Sequence, residues 1–384
     1  MSQNSCEVLI VGGGPAGLAA AIALQMRGAD VLVADAMKPP IEKACGEGLM
    51  PDARRNLASL GVHCEAGEGT PFRGIRFIHW TDGDPVSVSA DFERGEGVGM
   101  HRTALHARLV ERAAAIGVRM RWKTHVSLGS RVSLHGEDCR YRWLAGADGQ
   151  SSRVRKWAGL EPGRLISRRF GFRRHYRVRP ASDYVEVHWC ALGQVYITPV
   201  GPDEICVAVV TRHGATRMQQ VIDAIPHLSE RIPVEAASTR ERGAQTTTRQ
   251  LKRVVKGNVA LVGDASGSVD AVTGEGLATG FRQAALLSHS LETGSLDLYA
   301  GQHAGTLRVP RRIARALLML DKYPSVRNLA FRTLAASPEL FRGLLRVHVG
   351  DERLEHFLLC NGAAMLRQFA FANVSVSDTE RASM

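Results

Sequence analysis

The chain has 384 residues, enough for one large unit or two interleaved ones with a substantial core. Its 45% hydrophobic and 23% charged content is that of an ordinary globular protein, and no run of 18 apolar residues is present to cross a membrane. The formal charge of +11 draws on 49 basic residues of which only seven are lysine, with no recognition helix or finger beside them, so the basicity reads as a scattered solvated surface and no nucleic-acid partner is expected.

In chain order, EVLIV (7–11) is a short β-branched run of the kind buried in a parallel sheet. Glu7 near its start, the missing basic lead-in and the glycines that follow argue against a secretory signal. GGGPAG (12–17) places Gly12, Gly14 and Gly17 in the pattern GxGxxG, followed by a helical stretch over 18–28 and a second strand, DVLVAD (30–35), that closes on Asp35. Each piece has a purpose in dinucleotide binding. The first glycine permits a tight turn, the second lets the backbone approach a pyrophosphate, and the third allows close helix–strand packing. The helix N-terminus supplies amide donors, and an acid about 20 residues on accepts from a ribose.

KACGEGL (43–49) sets a cysteine in a glycine-rich loop. No CxxC pair accompanies Cys45, and the seven cysteines are dispersed, which suits a reducing cytoplasm better than a disulfide framework. The fourteen histidines show no HxxxH or HExxH spacing, so no metal centre is expected. A helix is predicted over 101–114, opened by Arg102, and WLAGADGQSSRVR (143–155) reads as a strand that ends at Asp148 and Gly149. RRFGFRRHYRVR (168–179) holds six arginines in twelve residues, either the outer face of a strand or a patch that steers anions.

Three alternating segments, YVEVHW (184–189), QVYITPV (194–200) and EICVAVV (204–210), predict antiparallel strands. Downstream, NVALVGDASGSVDAVTGEGLATGF (258–281) repeats the logic of a strand running into a glycine-rich turn, with Gly274 and Gly276 opening a helix. Residues 291–370 turn helical, with apolar residues at i, i+3, i+4 and i+7 in 311–323 and 338–350. Packing against the body is the expected role of these helices; the alternatives are a roof over a greasy pocket or peripheral contact with a membrane. The end, NVSVSDTERASM (373–384), is expected to fray.

GxGxxG near the start, DGxxSxVR in the middle and GDAxG…TGEG near the end, in that order, resemble the FAD-dependent monooxygenase and geranylgeranyl-reductase superfamily with the para-hydroxybenzoate hydroxylase fold. The resemblance covers about residues 5–290. It implies an α/β architecture: a Rossmann-like FAD domain of the glutathione-reductase type, interleaved with an α+β substrate domain carrying an antiparallel sheet, plus C-terminal helices. The FAD domain would comprise 1–75, 101–160 and 246–290, the substrate domain 76–100 and 161–245, and the helical region 291–384.

The same resemblance implies residue roles. Gly12, Gly14, Pro15, Ala16 and Gly17 would hold the FAD pyrophosphate, and Asp35 with Ala36 the adenosine ribose. Lys43, Cys45 and Gly46 would lie along the isoalloxazine, and Arg102 would reach the phosphate and ribityl region. Asp148 and Gly149 match the motif tied to FAD and transient NAD(P)H, Asp264 the ribityl acid, and Gly274, Glu275, Gly276 and Leu277 the flavin pyrimidine edge. A helix N-terminus at that edge would stabilise negative charge on reduced flavin.

Two departures weigh on the reaction. Gly267 and Ala271 stand where hydroxylases of the group carry histidine and proline, and YITP (196–199) lacks the tryptophan of the reductases' YxWxFP. The WxWxIP of flavin halogenases is absent. The expected activity is an NAD(P)H-dependent FAD monooxygenase, with NADPH or NADH as reductant and O2 as co-substrate, hydroxylating a hydrophobic phenolic molecule of secondary metabolism, such as a polyketide. Reduction of an isoprenoid-like C=C bond is the alternative, and a non-catalytic flavoprotein the third reading. No catalytic acid or base is legible. Cys45, Tyr196, His188 and Arg173 are candidates to line flavin or substrate, with Cys45 read as a small packing residue in the flavin's wall.

Overall fold

The computed structural model describes residues 4–64, 67–80, 84–161 and 163–362, so the tail expected to fray lies outside the described residues. Ser5–Val11 is the centre of a six-stranded sheet whose order is Val255–Lys256, Val259–Leu261, Arg140–Gly146, Ser5–Val11, Val31–Ala34 and Arg119–Arg121. All neighbours run parallel except the first two. Parallel pairing needs crossovers, and helix Pro15–Gln25 supplies the first. That helix is buried nearly all round, because Arg102–Ala115 and Gly276–Glu292 pack on it, which explains its run of alanines and leucines.

A second sheet of seven strands runs in the order Arg242–Gln250, Arg164–Tyr176, Glu204–Thr211, Gly193–Gly201, Tyr184–Cys190, Gly74–His79 and Val86–Asp91. It is antiparallel apart from Tyr184–Cys190 beside Gly74–His79. Period-2 alternation sorts its two faces. Val195, Ile197 and Val207 pack under the short helices Met218–Asp223 and Pro226–Arg231. Val185, Val187, Tyr196 and Thr198 face a cavity on the other side.

The basic run 168–179 enters this sheet, but two of its arginines are not on an outer face. Arg169 and Arg173 are each 2% exposed and paired with carboxylates. Arg169 bonds Asp270 at 3.2 Å and approaches Asp321 at 3.6 Å, while Arg212 meets Asp321 at 3.2 Å. Since Asp321 lies on helix Arg308–Lys322, this buried network ties a C-terminal helix to the sheet and to the loop before Gly274.

The C-terminal helices Arg308–Lys322, Pro324–Ala336 and Pro338–His348 cross the open face of the second sheet, the last two resting on strand Val86–Asp91. Ile313, Leu317, Leu320, Leu334, Leu340 and Leu344 point into the space beneath them. The helices therefore do more than pack on the body, the role expected from periodicity alone: they roof a cavity.

Candidate active site

That cavity, of about 890 Å³, runs from the nucleotide sheet to the helical roof. Among the residues singled out from the sequence, it gathers Gly12, Gly14, Pro15, Ala16, Asp35, Ala36, Lys43, Cys45, Gly46, Arg102, Asp148, Gly149, Tyr196, Asp264, Gly274, Gly276 and Leu277. Gly17, Glu275, His188 and Arg173 do not line it.

At the N-terminal end the glycines are dictated by crowding. Gly12 has φ +112°, and a Cβ there would sit 2.4 Å from the Ala147 carbonyl oxygen. A Cβ on Gly17 would collide with the Gly12 carbonyl, so this glycine serves helix–strand packing from outside the cavity wall. Gly14, the N-cap of helix Pro15–Gln25, has open space around its Cβ position. Asp35 accepts from the Gly13 amide at 2.6 Å and the Met37 amide at 2.7 Å, which fixes its carboxylate at the cavity wall.

The middle and late signatures are stapled together by one buried arginine. Arg155, 1% exposed, donates to the Gln150 and Ala265 carbonyls at 2.8 and 3.1 Å and to Glu161 at 2.9 Å. Asp148 spends its carboxylate on Ser152 Oγ and on the Arg153 and Val154 amides, opening helix Arg153–Trp157. Asp264 pairs with Lys43 at 3.1 Å across the rim.

The loop at 43–49 is held by a residue the sequence reading passed over. Glu47 is 3% exposed at φ +59°, one of three non-glycine residues with positive φ among the described residues. Such a backbone persists only where its surroundings fix it. Its Oε1 accepts from the Arg102 amide at 3.1 Å and lies 3.6 Å from Arg173, and its Oε2 meets His175 Nε2 at 2.6 Å. Thr198 Oγ donates to the Gly46 carbonyl at 2.8 Å. The hint in the sequence is an acid between two glycines, in a stretch otherwise made of small residues. Glu47, His101 and His175 bring ligand-type atoms within 4.8 Å of one another. The Arg173 guanidinium among them fits a hydrogen-bonded network rather than a bound cation.

Cys45 stands in the cavity wall, its sulfur 3.4 Å from the Glu47 amide. Tyr196, on the sheet floor, donates from its hydroxyl to the Val272 carbonyl at 3.0 Å, and burial pushes the phenol up, so it stays protonated. His188 lies on the opposite face of the sheet, against Trp80 and 3.2 Å from Glu186. Burial pushes the His188 imidazole down, while Glu186, opposed by its own burial, is held at about 2 by its bonds to His188 and Arg231. Arg173 is taken up by Glu42 at 3.0 Å.

The cradle suits an anionic dinucleotide on two counts. Glycine carbons leave room for a ligand at the amides of a helix N-terminus. Arg102, at the cavity wall, has a buried Nε without a hydrogen-bond partner among the described residues.

A family model described as an FAD binding domain matches residues 5–294. The chain belongs to that FAD-binding family. It is an FAD-dependent oxidoreductase of mixed α/β architecture. A dialkyldecalin synthase of Streptomyces rugosporus is 27% identical over 75% of this chain and 65% of its own length, so the match spans just under two thirds of that protein. A menaquinone reductase of Mycobacterium tuberculosis is 26% identical over 91% of this chain and 93% of its own. The solved p-nitrophenol 4-monooxygenase of Pseudomonas putida shares the fold with a TM-score of 0.74 at 18% identity, over 91% of this chain and 98% of that one.

Proposed function

We propose that this flavoprotein is an NAD(P)H-dependent monooxygenase that hydroxylates a hydrophobic aromatic small molecule, in keeping with a place in secondary metabolism. The observation that carries the reading is one continuous cavity, with a dinucleotide cradle at one end and an apolar chamber under the helical roof at the other. FAD, when bound, accepts a hydride and activates O2; the protein supplies position, dryness and charge.

Gly12, Gly14, Pro15, Ala16 and Gly17 shape the pyrophosphate turn, Asp35 with Ala36 meets the ribose, and Arg102 offers its Nε to a phosphate. Lys43 and Asp264 close the rim, with Asp148 and Gly149 shaping the loop beside it. Cys45 and Gly46 form the wall along the ring, and Gly274 to Leu277 bring a helix N-terminus to it. Phe77, Val187, Leu317 and Phe341 exclude water from the chamber, and Tyr196 contributes a neutral phenol to its floor. All seven cysteines are free thiols, which supports a reducing compartment such as the cytoplasm.

A second reading, reduction of an isoprenoid-like C=C bond, is favoured by the Cys45–Leu49 loop and the full-length likeness to a menaquinone reductase. One measurement separates the two. The purified yellow protein is given NADPH with candidate phenols, and O2 uptake and product mass are followed. A product heavier by one oxygen is expected; two added hydrogens under anaerobic conditions would overturn hydroxylation in favour of reduction.

A further inference from the structure

Where the glycine-rich end of the cavity meets the apolar chamber, two ionisable side chains face each other, and the Thr273 backbone is the other group that bonds His348. Glu275, 2% exposed, is the N-cap of helix Gly276–Glu292, and His348 ends helix Pro338–His348 and lines the cavity. Glu275 Oε2 lies 3.5 Å from His348 Nδ1, and neither atom has a hydrogen-bond partner among the described residues. An unpaired polar atom in such a place costs stability, so its retention beside a cavity points to a ligand.

The charged groups around the pair are few. Arg282, on the glutamate's own helix, bonds Asp52 at 3.2 Å and stays 3.8 Å from Glu275. Asp52 comes from helix Pro51–Ser59 and is itself raised by burial. Arg55 on that helix is spent on the Val349 carbonyl at 3.2 Å and Asp351 at 3.0 Å. Burial, reinforced by Asp52 and opposed by Arg282, pushes Glu275 up to about 8, and burial pulls His348 down to about 4. At neutral pH the carboxyl keeps its proton and the imidazole is neutral. The acid O–H faces Nδ1 across that 3.5 Å gap, which leaves the imidazole hydrogen on Nε2. A pair without net charge suits a wall shared with Leu340, Leu344 and Leu345.

We propose that His348, backed by Glu275, is the polar anchor of the substrate chamber, donating a hydrogen bond from Nε2 to a ring carbonyl or hydroxyl oxygen of an otherwise apolar cyclic ligand. As negative charge builds on that oxygen, the Nε2 proton passes to it and the Glu275 proton passes to Nδ1. The ligand gains one proton, the carboxyl becomes a carboxylate, and no electrons move in this step. His348 plays this part only if the chamber holds the substrate, as proposed above.

The test compares 1-tetralone with tetralin, which differ by one carbonyl oxygen, as ligands of the FAD-loaded enzyme. Binding is followed by flavin absorbance changes and calorimetry, without turnover. Wild-type protein is expected to prefer the ketone about fivefold, the scale of one neutral hydrogen bond. His348→Leu should lose that preference while tetralin affinity, FAD content and thermal midpoint hold, and His348→Gln, which keeps an amide donor, should retain part of it. Above pH 8 the ionised Glu275 draws the imidazole hydrogen to Nδ1, so the wild-type preference should fall; in Glu275→Gln it should stay level across pH. A wild type without preference, or a His348→Leu protein that keeps it, overturns the anchor. If the preference behaves as expected but NADPH, O2 and phenols give no oxygenated product, the monooxygenase reading falls and the anchor stands.

Discussion

The two ends of the cavity are built on opposite terms. At the nucleotide end the wall is backbone, with amides at a helix start, a carboxylate fixed by two N–H groups, and glycines where a methyl group would strike a carbonyl. At the roof end the wall is side chain, with leucines, isoleucine and phenylalanine from three helices over a sheet floor. The difference teaches where specificity is written. Backbone approach tolerates almost no substitution, whereas an apolar surface can be composed in many ways.

The sharpest way to break this contrast is at Gly12. Gly12→Ala adds a Cβ at a φ of +112°, 2.4 Å from the Ala147 oxygen. Strain of ~2–3 kcal/mol should weaken FAD binding on the order of 100-fold, read as lost flavin absorbance per mole of protein. Glu47→Ala comes next. Removing the carboxylate takes from His175 its 2.6 Å partner and from Arg173 the second of its two carboxylates, at a cost of about 3 kcal/mol; denaturant titration should show it, together with weaker FAD retention as the 43–49 loop loses its tether.

Leu317→Ala probes the other end. The flavin content should be unchanged while KM for an apolar substrate rises roughly tenfold, the worth of about 1.5 kcal/mol of lost apolar contact. An equal loss of flavin would erase the distinction between the two ends.

Glu275→Gln tests the junction through stability. The folded-state carboxyl titrates near 8, above its unfolded value of 4.5. The folded form thus binds a proton that the unfolded chain releases, and the group's stabilising contribution, complete below pH 4.5, is lost as pH rises to 8. The thermal midpoint of the glutamine variant relative to wild type should therefore be higher at pH 8 than at pH 5, by roughly 2–4 °C. The smallest change is expected from Cys45→Ser: a slight shift of the flavin spectrum and less than about threefold in FAD affinity, about the worth of one weak contact.

The α/β fold and the dinucleotide cradle were legible because their requirements are local. Gly12 to Asp35 carries its turn, helix, strand and acid in one uninterrupted stretch, and WLAG (143–146) and Val259–Leu261 announce themselves as short apolar runs leading into glycine-containing turns. The rest depends on contacts made at long range. Glu47 gains its purpose from His175 and Arg173, well over a hundred residues away. His188 alternates with Val187 on one strand, and only the side that received the roof decides which of the two sees the cavity. Nothing in the period of 311–323 tells a helix packed on a core from one packed over a hollow.

The order of these pieces along the chain has a consequence for biogenesis. The last cradle residue is Leu277, while the roof comes from residues 313–354. A ribosome delivers the chain from its N-terminus, so every part of the cradle emerges before any part of the lid. The glycine-rich end of the cavity is therefore complete in sequence while the greasy hollow still lies open, and Asp321, reaching back to Arg169, is among the contacts that shut it.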